Sequence, residues 1–320
     1  MTMRAIGMSG IEVAPVALGG NVFGWTADEA ASFAILDAFV VAGGTMIDTA
    51  DVYSAWVPGH VGGESEAVIG RWLKRSGKRD KVVIATKVGF LDGQIVDGEY
   101  VASLEPKVVL SACDASLERM GVEAIDLYYQ HRDNEKVPLA DSLGAFDELR
   151  RAGKIHSIGL SNFTAERVAE ALDASHDNSF DQPAALQNWY NLVERTKYEG
   201  ALQDVALARG LAVFPYYSLA NGFLTGKYRS QDDLSKSPRG LRSIEYLEGR
   251  GQRVLAAVEE VAAESGAAMA TVALAWLKAQ PGITAPIASA TSVEQARELI
   301  AALTFDLSPG QIEMLSEASA

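Results

Sequence analysis

The chain has 320 residues, 48% of them hydrophobic, and a formal net charge of −14. This length suits one large soluble domain or two ordinary ones, and the negative charge disfavours binding to nucleic acid phosphates. The lone cysteine, Cys113, cannot form an internal disulfide, and with four histidines it gives none of the usual metal-ligand spacings. We expect no metal. Neither a signal-peptide pattern nor an apolar run of about 18 residues occurs, so we expect a cytoplasmic protein without a membrane partner.

Short apolar runs of strand type alternate with longer segments of helix type along the whole chain. The predicted strands are residues 14–20, 45–48, 82–87, 125–131, 155–161, 184–188, 211–216 and 284–289. The predicted helices, in which apolar residues recur every three or four positions, are 28–42, 64–76, 103–120, 138–152, 164–174, 197–209, 249–265 and 292–301. Eight strands alternating with helices predict an α/β fold of the (β/α)8 TIM-barrel type.

No linker or change of composition divides the chain, so we expect residues 1–320 to form a single domain. The opening segment MRAIGMSGIEVAPV is compatible with a β-hairpin that caps the floor of the barrel. The longest irregular stretch, residues 217–247, follows the seventh strand. Loops of this length in compact domains usually have a functional role.

Polar side chains stand at the C-terminal ends of the predicted strands. Asp48, Lys87 and His131 end the second, third and fourth strands, and Tyr53 follows Asp48 by a short loop. In a parallel barrel these strand ends converge on one mouth, where the chemistry takes place. Each residue alone has a structural explanation: a turn cap, a solvated lysine, a tyrosine packed under a loop or a core imidazole. Their joint position at one end of the barrel favours a catalytic site.

Together these four side chains can reduce a carbonyl group. The carbonyl oxygen needs a proton as hydride arrives at the carbon, and tyrosine can supply it, although its ordinary pKa is about 10. We expect the ammonium of Lys87 to lower the pKa of Tyr53 and Asp48 to hold Lys87 charged. His131 would hydrogen-bond the substrate oxygen and set its angle to the hydride donor.

Several segments together resemble the aldo-keto reductases over nearly the whole chain. They are GTMIDTADVY, GGESEAVIGRWLK, VVIATKVG, IDLYYQHRD, GKIHSIGLSNF, LQNWYNLVER and YYSLANGFLTGKY. The resemblance implies a (β/α)8 barrel that binds a nicotinamide cofactor without a Rossmann fold, with Tyr53 as general acid assisted by Lys87, Asp48 and His131. In agreement, no G-x-G-x-x-G motif follows any predicted strand.

The resemblance also implies a set of cofactor contacts. Those to the nicotinamide are Ser161, Asn162 and Gln187 on its carboxamide and Tyr216 stacked on its ring. Those to the pyrophosphate are the loop Tyr217, Ser218, Leu219, Ala220, Asn221 and Gly222, with Lys227 nearby and either Arg239 or Arg242 to complete the clamp. Those to the adenosine end are Ser289, Thr291, Gln295 and Glu298. Leu299 stands where the family usually has asparagine, and no cation occupies the usual phosphate-binding positions. Recognition of a 2'-phosphate would therefore rest on hydroxyls and on backbone N–H groups at a helix N-terminus. The resemblance implies NADP(H), and the missing cation leaves NAD(H) as an alternative.

Aromatic residues just past the strand ends predict an apolar pocket wall. Trp25 and Trp56 are the preferred candidates because they lie in glycine-rich loops, while Phe90, Tyr100 and Trp189 have similar positions. The substrate would be a small aldehyde, ketone or alcohol with a sizeable apolar part. The alternative to a carbonyl reductase is a redox-sensing, cofactor-binding regulatory subunit similar to the potassium-channel β-subunits. The specific substrate, the physiological direction and the oligomeric state stay open.

Overall fold

The computed structural model describes residues 1–91, 94–96 and 99–320, with side chains for 1–91 and 101–320. The strands in these residues are β1 Arg4–Ala5, β2 Glu12–Val13, β3 Ala17–Gly19, β4 Met46–Asp48, β5 Val83–Val88, β6 Gln94–Val96, β7 Glu99–Val101, β8 Leu127–Gln130, β9 Ile158–Ser161, β10 Ala185–Gln187, β11 Ala212–Val213 and β12 Ile287–Ala288. Eight of them form one parallel sheet in the order β11-β10-β9-β8-β5-β4-β3-β12. These eight strands lie within, or one residue beyond, the eight predicted ranges.

The sheet closes between its first and last strands. Val213 of β11 forms a parallel bridge with Ile283, and the Ile287 N–H of β12 donates a hydrogen bond of 2.8 Å to the Pro215 carbonyl. Each strand therefore has a neighbour on both sides, as a barrel requires. The prediction of a (β/α)8 barrel is confirmed.

The interior of the barrel is filled by alternate residues of the strands. Small and large side chains such as Met46, Ala85, Leu127 and Tyr129 form one buried cluster there. Gly159 of β9 is necessary at its position because a Cβ atom would collide with the ring of Tyr129. The intervening residues face outwards and pack under the helices.

The helices in the described residues surround the sheet. They are α1 Glu29–Val41, α2 Glu64–Ser76, α3 Pro106–Met120, α4 Leu139–Arg151, α5 Ala165–Asp177, α6 Ala201–Ala208, α7 Arg250–Ser265, α8 Met269–Ala279, α9 Val293–Ala301 and α10 Pro309–Ala318. All eight predicted helices are present within a few residues. The sequence analysis missed α8, which is almost entirely buried and therefore lacks a polar face, and α10, which begins with a Ser308–Gln311 capping box. None of these helices has the length and hydropathy of a membrane span.

The predicted N-terminal hairpin is present as the antiparallel pair β1–β2. Ile6 and Val13 are fully buried in the cluster that fills the barrel interior. Gly7 has a φ of +48°, and a Cβ atom there would lie 2.6 Å from the Ala184 carbonyl oxygen, at the start of β10. The hairpin therefore caps the barrel at the N-terminal ends of its strands, opposite the mouth.

The long segment after β11 contains three 3₁₀ helices, Ala220–Thr225, Gln231–Lys236 and Gly240–Tyr246. It is anchored by buried apolar side chains, among them Phe223, Tyr228, Leu234 and Tyr246, which join the core beneath α7 and α8. From this anchored segment, Arg239 reaches the loop after β3 and contacts Trp25.

Candidate active site

Asp48, Lys87 and Tyr53 meet at the mouth of the barrel. Asp48 ends β4 and Lys87 lies near the end of β5, both on the inner face of the sheet. Lys87 Nζ donates hydrogen bonds to Asp48 Oδ2 at 2.7 Å, to the Thr49 carbonyl at 2.7 Å and to the Tyr53 hydroxyl at 3.1 Å. The side chains of Lys87 and Asp48 are 0% and 2% exposed, so their ion pair is shielded from water.

Tyr53 is held by the tight turns that follow β4. Its N–H donates to the Ala50 carbonyl at 3.2 Å, and the neighbouring Ser54 has a φ of +77° and donates its hydroxyl to the Phe23 carbonyl. A positive φ at a residue other than glycine persists only when the surroundings fix it. The turn therefore presents the Tyr53 hydroxyl to Lys87 in a defined position.

The pKa of Tyr53 is raised well above its ordinary value, which is opposite to our expectation. Burial of the phenol is the main cause, and the negative charge of Asp48 adds to it. The positive charge of Arg239 acts in the opposite direction but does not outweigh these two causes, and burial lowers the pKa of Lys87 as well. Tyr53 is consequently a protonated donor at neutral pH, with a hydrogen bond from Lys87 already directed at its oxygen.

Asp48 uses both carboxylate oxygens. Oδ2 accepts from Lys87, and Oδ1 accepts a hydrogen bond of 2.9 Å from Gln187 Nε2 at the end of β10. Gln187 thus lies in the site, where it holds Asp48 from the side opposite Lys87. Its predicted contact with a nicotinamide carboxamide stays a prediction.

His131 lies beside the Tyr53 ring at the end of β8. The two ring centroids are 6.0 Å apart, and the edge of Phe90 packs on the imidazole at 4.4 Å. Its Nδ1 is buried and has no hydrogen-bond partner among the described residues. Burial and the charge of Lys87 hold the pKa of His131 well below its ordinary value. The imidazole is therefore neutral and has hydrogen-bonding capacity to spare.

Asn162 links two other residues that are predicted to contact the nicotinamide, Ser161 and Tyr216, to His131 at the end of β8. It has a φ of +59°, and its Nδ2 donates to the His131 carbonyl at 2.9 Å and to Ser161 Oγ at 3.1 Å. The Tyr216 hydroxyl donates to Asn162 Oδ1 at 2.6 Å. The structure thus brings Ser161, Asn162 and Tyr216 together next to His131.

The loop after β11 has an unusual backbone. Tyr217, Ala220 and Asn221 have φ values between +47° and +57°, and Gly222 has a φ of +96°. Ser218 is buried and donates to the Pro215 carbonyl, while Leu219 is partly buried. Turns that contain left-handed residues can direct successive backbone N–H groups into one concavity, which is a common way of binding anions.

Two further features of this loop bear on a phosphate-containing ligand. Asn221 Oδ1 is buried without a hydrogen-bond partner among the described residues. A Cβ atom at Gly222 would lie 2.8 Å from Lys227 Nζ, so the glycine allows this ammonium to lie over the loop. The Lys227 ammonium above left-handed backbone fits a pyrophosphate, whereas Asn221 Oδ1 only accepts hydrogen bonds and would need a donor such as a ligand hydroxyl.

The structure distinguishes Arg239 from Arg242. The Arg239 guanidinium lies 5.3 Å from the centroid of the Trp25 ring and donates a long hydrogen bond of 3.4 Å to Asn21 Oδ1. Arg242 is exposed and donates to the Tyr217 hydroxyl at 3.1 Å. Arg239 therefore reaches across the mouth to the loop after β3, whereas Arg242 stays outside it.

Asn21 is a site residue that the sequence analysis missed. Its Oδ1 accepts from both Arg239 and Ser289, the latter at 2.6 Å. The signal was present, since Asn21 directly follows the two glycines that end the first predicted strand. Asn21 thereby joins the segment after β11 to the end of β12.

The remaining predicted residues lie around the N-terminus of α9. Thr291 donates from both its N–H and its hydroxyl to Gln295 Oε1, at 3.0 and 3.1 Å. Glu298 follows one turn later in the helix, and partial burial raises its pKa. Thr291 and Gln295 are therefore brought together, and Ser289 lies on the mouth side of them.

An aromatic wall borders the catalytic tyrosine. The rings of Trp25 and Trp56 meet edge to face at 5.5 Å, and Trp56 lies 6.1 Å from the Tyr53 ring. Trp56 is 49% exposed, so it offers apolar surface to the solvent side of the mouth. Trp189 lies apart from this wall, against Tyr217 at 5.2 Å, and the side chain of Tyr100 falls outside the described residues.

Comparisons with known proteins agree with this architecture. Residues 15–320 match the model of the aldo/keto reductase family. An uncharacterized oxidoreductase, YrpG, of Bacillus subtilis is 32% identical over 99% of this chain and 95% of its own. Aldo-keto reductase str7 of Strobilurus tenacellus is 33% identical over 88% of this chain and 78% of its own. Aldo-keto reductase yakc [NADP(+)] of Schizosaccharomyces pombe is 30% identical over 91% of this chain and 83% of its own. The chain therefore belongs to the aldo/keto reductase family.

Proposed function

We propose that the protein is an NADP(H)-dependent carbonyl reductase, which converts an aldehyde or ketone to the alcohol and also runs in reverse. The observation that carries the proposal is the 3.1 Å hydrogen bond from Lys87 to the Tyr53 hydroxyl, with Lys87 held by Asp48 at 2.7 Å. Membership of the aldo/keto reductase family supports oxidoreductase chemistry with a nicotinamide cofactor. The same proposal includes a cytoplasmic location and a small carbonyl or alcohol as the partner.

The proposed roles follow from the protonation states of the site. A reduced nicotinamide, when bound, supplies the hydride. Tyr53 donates its proton to the carbonyl oxygen as negative charge develops there. Lys87 stabilises the resulting phenolate through the hydrogen bond that it already donates, because charge-assisted hydrogen bonds are the stronger kind. Asp48 offsets the burial that lowers the pKa of Lys87 and so keeps the ammonium charged.

His131 positions the carbonyl oxygen in this scheme. A neutral imidazole has one N–H to donate and one acceptor nitrogen. Because its pKa is held well below the ordinary value, His131 stays neutral at physiological pH and orients the substrate without competing with Tyr53 as the acid. The Phe90 contact fixes the plane of the ring.

The cofactor contacts proposed here are those that the resemblance implies. Asn162 and Ser161 lie beside His131, so a carboxamide bound to them would lie next to the catalytic oxygen. Arg239 and Lys227 are the proposed cations of the pyrophosphate site. The full set is Ser161, Asn162, Gln187, Tyr216, residues 217–222, Lys227, Arg239, Ser289, Thr291, Gln295 and Glu298.

The preference for NADP(H) rests on two lines of support. The printed name of the Schizosaccharomyces pombe relative includes NADP(+). The N-terminus of α9, with Thr291 at its edge, offers hydroxyl and backbone N–H groups of the kind that bind phosphate. The dissociation constants of NADPH and NADH can be measured by titrating the protein with each nucleotide and monitoring the quenching of protein fluorescence. Tighter binding of NADH would overturn the preference.

The replacement Tyr53→Phe tests the central role. We expect this variant to lose carbonyl reduction while its dissociation constant for NADPH stays within about twofold of the wild-type value, because the general acid alone is removed. The matched control is Tyr198→Phe, which deletes the hydroxyl of a buried tyrosine that has no hydrogen-bond partner among the described residues. Undiminished turnover in Tyr53→Phe would refute the assignment.

A panel of aldehydes and ketones separates the enzyme from the alternative function. Tight NADPH binding without steady-state turnover on any member of the panel would favour a redox-sensing subunit. The intact set of Tyr53, Lys87, Asp48 and His131 favours the enzyme, since a binding protein has no need of the Lys87–Tyr53 hydrogen bond.

A further inference from the structure

Three buried carboxyl groups lie around the base of the site, and in the described residues two of them form side-chain hydrogen bonds. Asp48 is bonded to Lys87 and Gln187. Glu66 on α2 is fully buried and accepts from Thr86 Oγ1 at 2.6 Å and from Arg119 Nε at 2.6 Å. Lys87 and Arg119 are thus each committed to one carboxylate.

Asp51 is the third carboxyl group and has no such partner. Its side chain is 1% exposed, and neither oxygen has a hydrogen-bond partner among the described residues. Its backbone N–H donates to the Lys87 carbonyl at 3.2 Å, and it precedes Tyr53 by two residues. Asp51 is therefore fixed both to the strand that carries Lys87 and to the turn that carries Tyr53.

The groups that face Asp51 come from every element packed around it. They are Glu66 of α2, Arg119 of α3, Lys87 of β5, Tyr128 of β8 and the backbone N–H groups of Val52 and Gly89. Glu66 adds negative charge, and the Arg119 guanidinium is already bonded to it. Arg119 and the backbone N–H groups of Val52 and Gly89 favour an ionised Asp51, but they compensate only part of the cost of burying its charge. Burial, followed by Glu66, raises the pKa of Asp51 to about 8.

We propose that Asp51 is a positioning residue that supports the Lys87–Tyr53 pair as a neutral carboxylic acid, and that loss of its proton slows carbonyl reduction. The proposal rests on the function proposed above. Asp51 acts through Lys87, because the negative charge of an ionised Asp51 raises the pKa of Lys87. A second carboxylate near Lys87 would compete for its ammonium and disfavour negative charge on the Tyr53 oxygen, so proton transfer would slow.

The pH dependence of kcat separates this role from a structural one. We expect the wild-type rate to fall above about pH 8, by up to tenfold per pH unit where the ionised form is inactive. Asp51→Asn, which cannot ionise, should lose this alkaline decline, and Asp51→Glu should retain one. The control Asp114→Asn removes an exposed carboxylate on α3 and should keep the wild-type profile. An unchanged alkaline decline in Asp51→Asn would overturn the proposal.

A measurement on the cofactor-free protein keeps the inference separate from the proposed function. With aspartate 13C-labelled at the carboxyl carbon, one signal should titrate near pH 8 and be missing in Asp51→Asn. Titration of every aspartate signal below pH 6 would overturn the neutral acid, and this needs only wild-type protein. Failure of the wild type to reduce any carbonyl, with the signal titrating near pH 8, would overturn the proposed function while supporting a neutral Asp51.

Discussion

The two sides of the barrel mouth are built in different ways. On the strand side, Asp48 and Lys87 are buried and satisfied by short hydrogen bonds to the protein itself. On the opposite side, the described contacts of the Arg239 guanidinium are a 3.4 Å hydrogen bond to Asn21 and a ring contact with Trp25, and Asn221 Oδ1 has no partner among the described residues. The Asp48–Lys87 pair is complete without a ligand, and the second side has binding capacity left over.

This difference separates the chemistry from the binding. Groups that transfer a proton must be preorganised, because reorganisation during the reaction would add to the barrier. Groups that hold a large ligand have to remain accessible until it arrives, and segments with few internal bonds open most easily. Substitutions on the strand side should therefore affect turnover and stability together, whereas those on the opposite side should affect affinity alone.

The largest effect is expected for Lys87→Met. It should reduce kcat by about 10³-fold or more, because the phenolate loses its stabilising cation, and should cost about 3–5 kcal/mol of stability since Asp48 is left buried and unpaired. The double variant Lys87→Met/Asp48→Asn should recover much of the stability and none of the activity. Lys74→Met, at an exposed position of α2, is the control. Chemical denaturation and steady-state kinetics measure both effects, and a stable, inactive Lys87→Met would break the link between them.

Arg239→Met should show the opposite behaviour. We expect the dissociation constant for NADPH to rise about tenfold or more, as for loss of a charged hydrogen bond, with little change in the midpoint of unfolding. Arg242→Met is the matched control and should change affinity by less than about threefold, since the Arg242 side chain is exposed and its hydrogen bond among the described residues is to the Tyr217 hydroxyl. Equal effects of the two substitutions would contradict the assignment of Arg239 to the mouth.

The barrel and the strand side could be predicted from the sequence because both follow from short-range patterns. Strand ends in a parallel barrel share one mouth, so Asp48, Lys87 and His131 could be placed together without coordinates. The direction of the Tyr53 pKa shift could not be predicted, since it depends first on how deeply the phenol is buried and then on the charge of Asp48.

The opposite side was less predictable because its contacts join distant segments. Asn21, Arg239 and Ser289 are separated by up to 268 residues, and nothing in the local pattern pairs them. For the same reason the sequence could not predict that Asp51 lacks an ion-pair partner. Arg119 is the nearby cation of α3, and in the folded protein it is bonded to Glu66 instead.

The neutral state of His131 gives a smaller effect on stability. Its pKa is lowered in the folded protein, so the unfolded chain binds more protons as pH falls below about 6.5. Stability should therefore fall as pH falls through this range, and the loss should be smaller for His131→Gln, which cannot be protonated. Thermal unfolding of both proteins between pH 5 and 8 measures the difference, with His156→Gln as a control. Parallel curves for the wild type and His131→Gln would contradict a neutral imidazole.

The smallest effect is expected at the aromatic wall, which both sides of the mouth share. Trp56→Ala removes the edge contacts to Trp25 and Tyr53, and such aromatic contacts are each worth about 0.5–1.5 kcal/mol. KM for an aromatic aldehyde should rise about threefold to tenfold, while KM for propanal, which cannot reach the wall, should hardly change. Because Trp56 is half exposed, the loss of stability should be limited to these two contacts. An equal rise of KM for both substrates would mean that Trp56 shapes the Tyr53 turn rather than the substrate pocket. Trp56 would then belong to the strand side of the mouth.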